Sequence, residues 1–205
     1  MPRRYFYDSV VQKDIRGKLV NDTVFHTVKN IQLVNQVGQH VSLNDLKGKI
    51  IVMDFFFTRC PSICPAMAKA MKKLQMSFRN NDTIVQFISI SIDPLHDSIS
   101  ELKKFSDHHK IDPGSWLVAT GDRTEIYNFA LKEMKASIAD VNVDTAFIHT
   151  ENFFLLDRDR IIRGWYNGLD SVAQSKLVRD IPILMLEKDK KKTFSDFLKE
   201  LFGRS

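Results

Sequence analysis

The apolar positions of this 205-residue chain change their period along its length. Runs of β-branched and aromatic residues predict strands, and apolar residues that recur every three or four positions predict helices. Residues 1–22 are polar with weak periodicity and predict an extended lead-in, and a turn at 35–39 predicts a hairpin. Further strands are predicted at 25–28, 31–34, 50–57, 84–92, 116–120, 153–156 and 161–165. Helices are predicted after the cysteines as far as about residue 78, and at 98–109, 122–135 and 194–202. One more helix is predicted to begin at residue 170 or 171 and to kink or break at Pro182.

This order of elements predicts an α/β protein. Strands that alternate with helices form a largely parallel sheet covered on both faces, and a closing β-hairpin makes the sheet mixed. The order βαβ, α, β-hairpin, α is that of the thioredoxin fold, with a central mixed sheet flanked by helices and an added N-terminal hairpin. We therefore divide the chain into a polar lead-in (1–22), a thioredoxin-like domain (23–182) and a C-terminal helical tail (183–205).

Composition and charge disfavour a nucleic-acid-binding protein and a membrane-spanning chain. A content of 43% hydrophobic and 27% charged residues is ordinary for a folded soluble protein. The net charge is +5, but the basic residues are dispersed except for a cluster at 188–192, and no nucleic-acid-reading motif occurs. No stretch approaches the roughly 18 apolar residues of a membrane span. The abrupt polar start favours the interpretation that an anchor or signal segment is missing from the sequence.

The two cysteines, Cys60 and Cys64, are the most informative residues in the chain. They follow a buried strand and lie four residues apart, a spacing that places side chains on one face of a helical turn. A helix N-terminus stabilises a thiolate, and Arg59 adds positive charge beside Cys60. The pair is therefore a redox couple or a site for a soft metal, with a structural disulfide or a buried apolar pair as the alternatives.

The strand at 153–156 favours the metal interpretation. Thioredoxin-type enzymes use Cys-x-x-Cys and a cis-proline ahead of this strand, whereas here the sulfurs have one more residue between them and no proline occurs from 114 to 181. His149 stands near that place instead. Two thiolates and an imidazole suit copper, with zinc as the competitor.

Other side chains near these positions have alternative roles. His96 is a rival third ligand, because it lies in the loop after a neighbouring strand. Asp93 is either a turn residue or, like Arg59, a side chain that orients a ligand or a partner, and Asp97 is expected to cap a helix. The remaining candidates are expected to be surface or solvated histidines (His26, His40, His108 and His109) and core methionines (Met67 and Met71).

The segments 54–65 and 91–94, with Asp97 and His149, resemble the Sco/SenC family of copper-binding proteins of cytochrome c oxidase assembly. The resemblance spans about residues 24–180. It implies a thioredoxin-like fold with an inserted loop before His149, and one copper per chain, as Cu(I) or Cu(II), bound by Cys60, Cys64 and His149. It also implies anchoring in the cytoplasmic membrane facing the periplasm. The chain departs from the family in having Ile148 where an Asp is common and His96 where an Arg is common.

Two functions follow from the resemblance. The first is a copper metallochaperone that helps to assemble the dinuclear copper centre of the oxidase. The second is a thiol–disulfide oxidoreductase that reduces the copper-receiving cysteines of the oxidase, with Cys60 and Cys64 as catalytic residues forming a redox disulfide. A thiol peroxidase is disfavoured because Thr58 does not have the Thr-x-x-Cys spacing. The predicted partner is the oxidase subunit that carries the copper centre, or another copper protein, and no nucleic acid is expected.

Overall fold

The structure, a computed structural model, describes residues 2–15, 18–136 and 151–187. Residues 137–150, which include His149 and the predicted inserted loop, and residues 188–205, with most of the predicted tail, lie outside the described ranges. The described strands are Tyr7–Ile15 (β1), Lys18–Phe25 (β2), Gln32–Asn35 (β3), His40–Ser42 (β4), Ile50–Phe56 (β5), Val85–Ser91 (β6), Trp116–Thr120 (β7), Asn152–Leu156 (β8) and Ile162–Asn167 (β9). The described α-helices are Cys64–Ser77 (α1), Ile99–His108 (α2), Arg123–Asn128 (α3) and Ser171–Leu186 (α4), and a short 3-10 helix spans Leu43–Leu46.

Seven strands form one mixed sheet in the order β4-β3-β7-β6-β5-β8-β9. The central strands β5, β6 and β7 are parallel, whereas the outer strands pair antiparallel. Every residue of β5 and β6 is buried, because both faces of the sheet are covered. The predicted α/β fold with a mixed central sheet is confirmed.

Side chains alternate along β5 between two hydrophobic cores. Val52 and Phe56 belong to the core under α1, α2 and α4, which also contains both cysteines. Met53 and Phe55 belong to the core on the opposite face, which α3 covers. The cysteine loop therefore packs over one defined face of the sheet.

The N-terminal region differs from the predicted lead-in. Strands β1 and β2 pair antiparallel as a separate two-stranded sheet, and most of their side chains are exposed. The strand predicted at 25–28 is reduced to a single bridge between Thr27 and Ile161. The turn at 35–39 forms as predicted, with Gly38 at φ +79° and the Asn35 side chain accepting from the Val37 and Gln39 amides.

Two helices also differ from their predicted ends. Asp122 caps α3 as expected, but the segment Phe129–Glu133 that follows is a π-helix. Helix α4 continues through Pro182 to Leu186, so the domain boundary predicted after residue 182 falls inside a helix. Pro182 lies on the exposed side of α4, where water can hydrate the carbonyl that loses its donor, while Ile181 and Leu184 hold the other side to the sheet. None of the described helices is long and apolar enough to span a membrane.

Candidate metal and thiol site

The cysteines lie where β5 ends and α1 begins. The Cys60 amide donates to the Phe57 carbonyl at 3.2 Å, and Cys64 is the first residue of α1. Pro65 follows in the first helical turn, where the missing N–H has no intrahelical partner to lose. The two cysteines are not joined in a disulfide, and each is only 6% exposed. The strand–loop–helix placement of the pair agrees with the sequence prediction.

The electrostatics of Cys64 differ from the expectation that the helix N-terminus and Arg59 favour a thiolate. Burial raises the pKa of the Cys64 thiol far above its ordinary value of 9.0, and a hydrogen bond with Cys60 raises it further. The Cys60 sulfur also lies 3.8 Å from the Ser62 hydroxyl. Arg59 does not offset this burial, because its guanidinium is bound to Asp93 instead. Cys64 is therefore held as a neutral thiol until something replaces its proton.

Asp97 fixes the start of the cysteine loop. It is completely buried, and its carboxylate accepts from the Thr58 amide at 3.1 Å and from the hydroxyls of Thr58 and Ser91 at 2.5 Å each. The sequence predicted Asp97 as a helix cap, but the cap of α2 is Ser98, which accepts from the Glu101 amide. Asp97 thus ties the loop after β5 to the end of β6.

Asp93 joins Arg59 to His96 beside the thiols. One carboxylate oxygen accepts from the Arg59 guanidinium at 2.8 Å, and the other lies 2.8 Å from His96 Nδ1. Burial by itself would raise the pKa of Asp93, but the hydrogen bonds from His96 and Arg59 outweigh it and hold the pKa below its ordinary value. Arg59 is therefore fixed to the neighbouring loop.

Asp54 is an acidic residue in this region to which the sequence pattern alone assigns no role. It shares the face of β5 with Val52 and Phe56, under the same core as the thiols. It is 2% exposed, and its Oδ1 has no hydrogen-bond partner in the described part of the chain. Burial raises the pKa of Asp54 from 3.8 to about 7, against a hydrogen bond from Ser89 that lowers it. The signal that could have identified it is a single acidic residue in an otherwise apolar strand.

A cavity of about 360 Å³ opens beside the sulfurs. Its lining includes both cysteines together with Phe105, His108 and His109 at the end of α2. The Phe105 ring packs against Phe56 and against His109, with centroid distances of 4.7 and 4.5 Å. His108 is exposed as expected, but His109 is half-buried, and burial lowers its pKa. The His109 imidazole and the Phe105 ring thus face the approach to the thiols.

The described residues bring together only part of the predicted ligand set. Cys60 and Cys64 share the loop and its cavity, and Met67 and Met71 are core residues as expected. No group of three or more His, Cys, Asp or Glu side chains able to hold a metal ion occurs within the described ranges, so His96 does not join the thiols there. His149 lies outside those ranges. The described chain therefore supplies two sulfur donors.

Known proteins share this architecture. A sequence model of the SCO1/SenC family matches residues 21–185. A SCO1 protein homolog of Bacillus subtilis is 33% identical over 166 residues, which cover 80% of this chain and 86% of the relative.

Solved structures agree with the sequence match. A SCO1/SenC family lipoprotein from Bacillus anthracis has a TM-score of 0.70 at 31% identity, covering 78% of this chain and 95% of that one. BsSco, a Sco-family cytochrome c oxidase assembly protein with a disulfide switch, has a TM-score of 0.68 at 33% identity, covering 79% and 95%. Copper-bound ScoI from Bradyrhizobium japonicum has a TM-score of 0.60 at 25% identity, covering 75% and 98%. With this architecture and a match over most of its length, the chain belongs to the SCO1/SenC family.

Proposed function

We propose that this protein is a copper metallochaperone that binds one copper ion through Cys60 and Cys64 and helps to assemble the copper centre of cytochrome c oxidase. The observation that carries the proposal is the pair of buried thiols, not joined in a disulfide, at the end of a central strand beside an open cavity. Sulfur donors of this kind select soft ions such as Cu(I). The copper-bound ScoI relative and the oxidase assembly role given for BsSco support the choice of metal and of pathway.

We assign the third ligand to His149. The described residues contain no third donor grouped with the thiols, so a third ligand comes from outside them or from a partner. His149 is the histidine that the sequence places just before β8, which pairs with β5, the strand that leads into the cysteine loop. An imidazole would complete a three-donor site that suits both Cu(I) and Cu(II).

The protein's own groups prepare the site for exchange of the metal. Asp97 holds the loop, and Asp93 binds Arg59, which lines the same cavity as the two sulfurs. Because Cys64 is a neutral thiol in the metal-free protein, a metal that binds the thiolate must displace its proton. The cavity beside the sulfurs leaves space through which a partner's ligands can approach.

The experiment is a Cu(I) titration of the reduced protein against a competing chromophoric chelator, with copper spectra recorded after oxidation to Cu(II). We expect one tight site in the parent protein, loss of tight binding in Cys60→Ser and Cys64→Ser, and a changed Cu(II) absorption spectrum in His149→Ala. His40→Ala, at an exposed position, is the matched control. Unchanged Cu(II) spectra in His149→Ala would remove His149 from the ligand set, and tight binding in both serine variants would overturn the copper site.

A thiol–disulfide oxidoreductase is the second candidate, favoured by the proximity of two thiols that are not joined in a disulfide and by the disulfide switch of the BsSco relative. In this reaction Cys60 and Cys64 lose two electrons and two protons as their disulfide forms, and a disulfide of the oxidase subunit gains them. The sulfurs suffice for this chemistry, so His149→Ala should retain it. Reduction of a disulfide-bonded peptide at the parent rate by His149→Ala, together with weakened copper delivery, would separate the two activities.

We place the protein on the periplasmic side of the cytoplasmic membrane, where an anchored form would meet the oxidase subunit that receives copper. The Bacillus anthracis relative, described as a lipoprotein, supports this location. Fractionation of cells that produce the protein tests it. Recovery in the cytosolic fraction would contradict it.

A further inference from the structure

A second cavity lies along the outer edge of β9, the terminal strand of the sheet. Its volume is about 690 Å³, and its lining shares no residue with that of the thiol cavity. The N-terminal segment forms one wall through Arg3 and Tyr5, and α4 forms the other through Lys176 and Arg179. The cavity is thus a groove with an exposed strand edge between two walls.

Buried polar contacts hold both walls in place. Arg163, which is 3% exposed, donates to the carbonyls of Pro2 and Arg3 at 2.8 and 3.2 Å and so fixes the N-terminal wall. The Tyr166 hydroxyl donates to Asp180 at 2.8 Å and so fixes α4. These contacts span 161 and 14 residues of sequence, so the groove is built by the tertiary fold rather than by a local loop.

The edge of β9 retains capacity for strand pairing. The Tyr5 amide donates to the Ile162 carbonyl at 3.0 Å, but beyond that point no other strand of the described chain pairs with the outer side of β9. Unpaired backbone donors and acceptors at a sheet edge can add an extended peptide as a further strand.

The charge of the groove selects the kind of peptide. Arg163 is paired with Asp157 and Glu187, and Asp180 accepts from Tyr166, so these buried groups are satisfied within the fold. Three exposed cations remain at the rim, and none has an ion-pair partner among the described residues. These are Arg3, Lys176, which lies over the Tyr166 ring at 5.8 Å, and Arg179.

We propose that this groove binds an extended acidic segment of a partner protein, which adds to the sheet as a strand beside β9. Backbone hydrogen bonds to the strand edge supply the pairing, and carboxylates of the segment face the three rim cations. The site is separate from the thiols, so it does not depend on the proposed copper chemistry.

Fluorescence anisotropy with a labelled decapeptide of alternating Glu and Thr tests this proposal at low and physiological salt. We expect binding to the parent protein and binding about tenfold weaker to Lys176→Glu/Arg179→Glu, because the reversal repels carboxylates. The matched control Lys47→Glu/Lys73→Glu makes the same change of net charge at exposed positions away from the groove and should bind within about twofold of the parent. Equal losses of peptide binding in both double variants would overturn the proposal of a local site at the groove.

Two further probes separate strand addition from charge attraction alone. The same acidic peptide with alternate amides N-methylated should bind about tenfold more weakly, since it cannot pair along one edge. Amides of residues 163–167 that point away from β8 should gain protection from hydrogen exchange only with the unmethylated peptide. Equal binding of the methylated peptide overturns strand addition. If the groove variant loses binding to phosphatidylglycerol vesicles while binding the peptide like the parent, the proposal is overturned in favour of an anionic membrane surface.

Discussion

Asp54 gives a quantitative prediction about how stability depends on pH. Its carboxyl group is buried in β5, and burial raises its pKa from 3.8 to about 7. In the unfolded chain the same group is exposed to water and titrates near its ordinary value. The folded state therefore binds this proton more tightly than the unfolded state does.

The change of stability with pH follows from the thermodynamic linkage between folding and proton binding at Asp54. A raised pKa in the folded state contributes stability that is fully present below about pH 4 and is lost as the pH rises through about 7. The difference of about three pH units between the two pKa values corresponds to roughly 4 kcal/mol in total. Between pH 5 and pH 8 the parent protein should lose roughly 2–3 kcal/mol through this one group.

The variant Asp54→Asn keeps the shape of the side chain and removes the titration. We expect its free energy of unfolding to match that of the parent below about pH 4, to exceed it by roughly 1–2 kcal/mol at pH 5 and to exceed it by roughly 4 kcal/mol at pH 8, because no charge must then be buried. Urea unfolding of the reduced protein in chelator at these pH values measures this difference. Asp82→Asn, at an exposed position, is the control. Parallel pH profiles for Asp54→Asn and the parent would refute the reasoning.

Three further predictions concern other buried groups. Asp97→Ala should lower the free energy of unfolding by about 2–4 kcal/mol, because donors of Thr58 and Ser91 lose their acceptor. Ser98→Ala, which removes the helix cap, should lower it by only about 1 kcal/mol. Urea unfolding of the two variants compares these losses. Arg163→Met should lower the free energy of unfolding by about 3–5 kcal/mol in the same assay, since the carboxylates of Asp157 and Glu187 then lose their buried ion-pair partner. Iodoacetamide should modify Cys64 at pH 8 at least about tenfold more slowly in the native protein than in urea, as measured by mass spectrometry, because burial keeps it protonated; equal rates would contradict its raised pKa.

The elements that position the site could be predicted because they bury continuous apolar surface. A run of apolar β-forming residues that only Asp54 interrupts identifies β5, and apolar residues interspersed with Gln86, Ser89 and Ser91 identify β6. The cysteine loop was located from its place between such a strand and a helical pattern. Burial thus marks these elements in the sequence itself.

The N-terminal hairpin could not be predicted in this way, because most of its side chains are exposed. Exposed strands carry mixed polar and apolar residues, so strands β1 and β2 lack the alternation that a half-buried strand shows. The pairing of Lys13 with Asp22 across the hairpin is visible only once the register is known. Packing of Tyr5 and Phe6 on Trp165 next to the hairpin is likewise a contact between distant parts of the chain.

One physical cause explains why the local sequence did not predict the surroundings of several site residues: contacts with distant parts of the chain determine them. Asp97 occupies a position where a helix cap is expected, and its local sequence gives no reason to place it elsewhere. Its direction is set by Thr58, which lies 39 residues away in sequence, and a buried carboxylate that accepts several hydrogen bonds is more stable than one capping an exposed helix end. Asp54 and His109 are likewise determined by what packs over them. Sequence patterns identify which residues reach the cysteine loop, whereas the charge states of those residues depend on burial that only the folded chain defines.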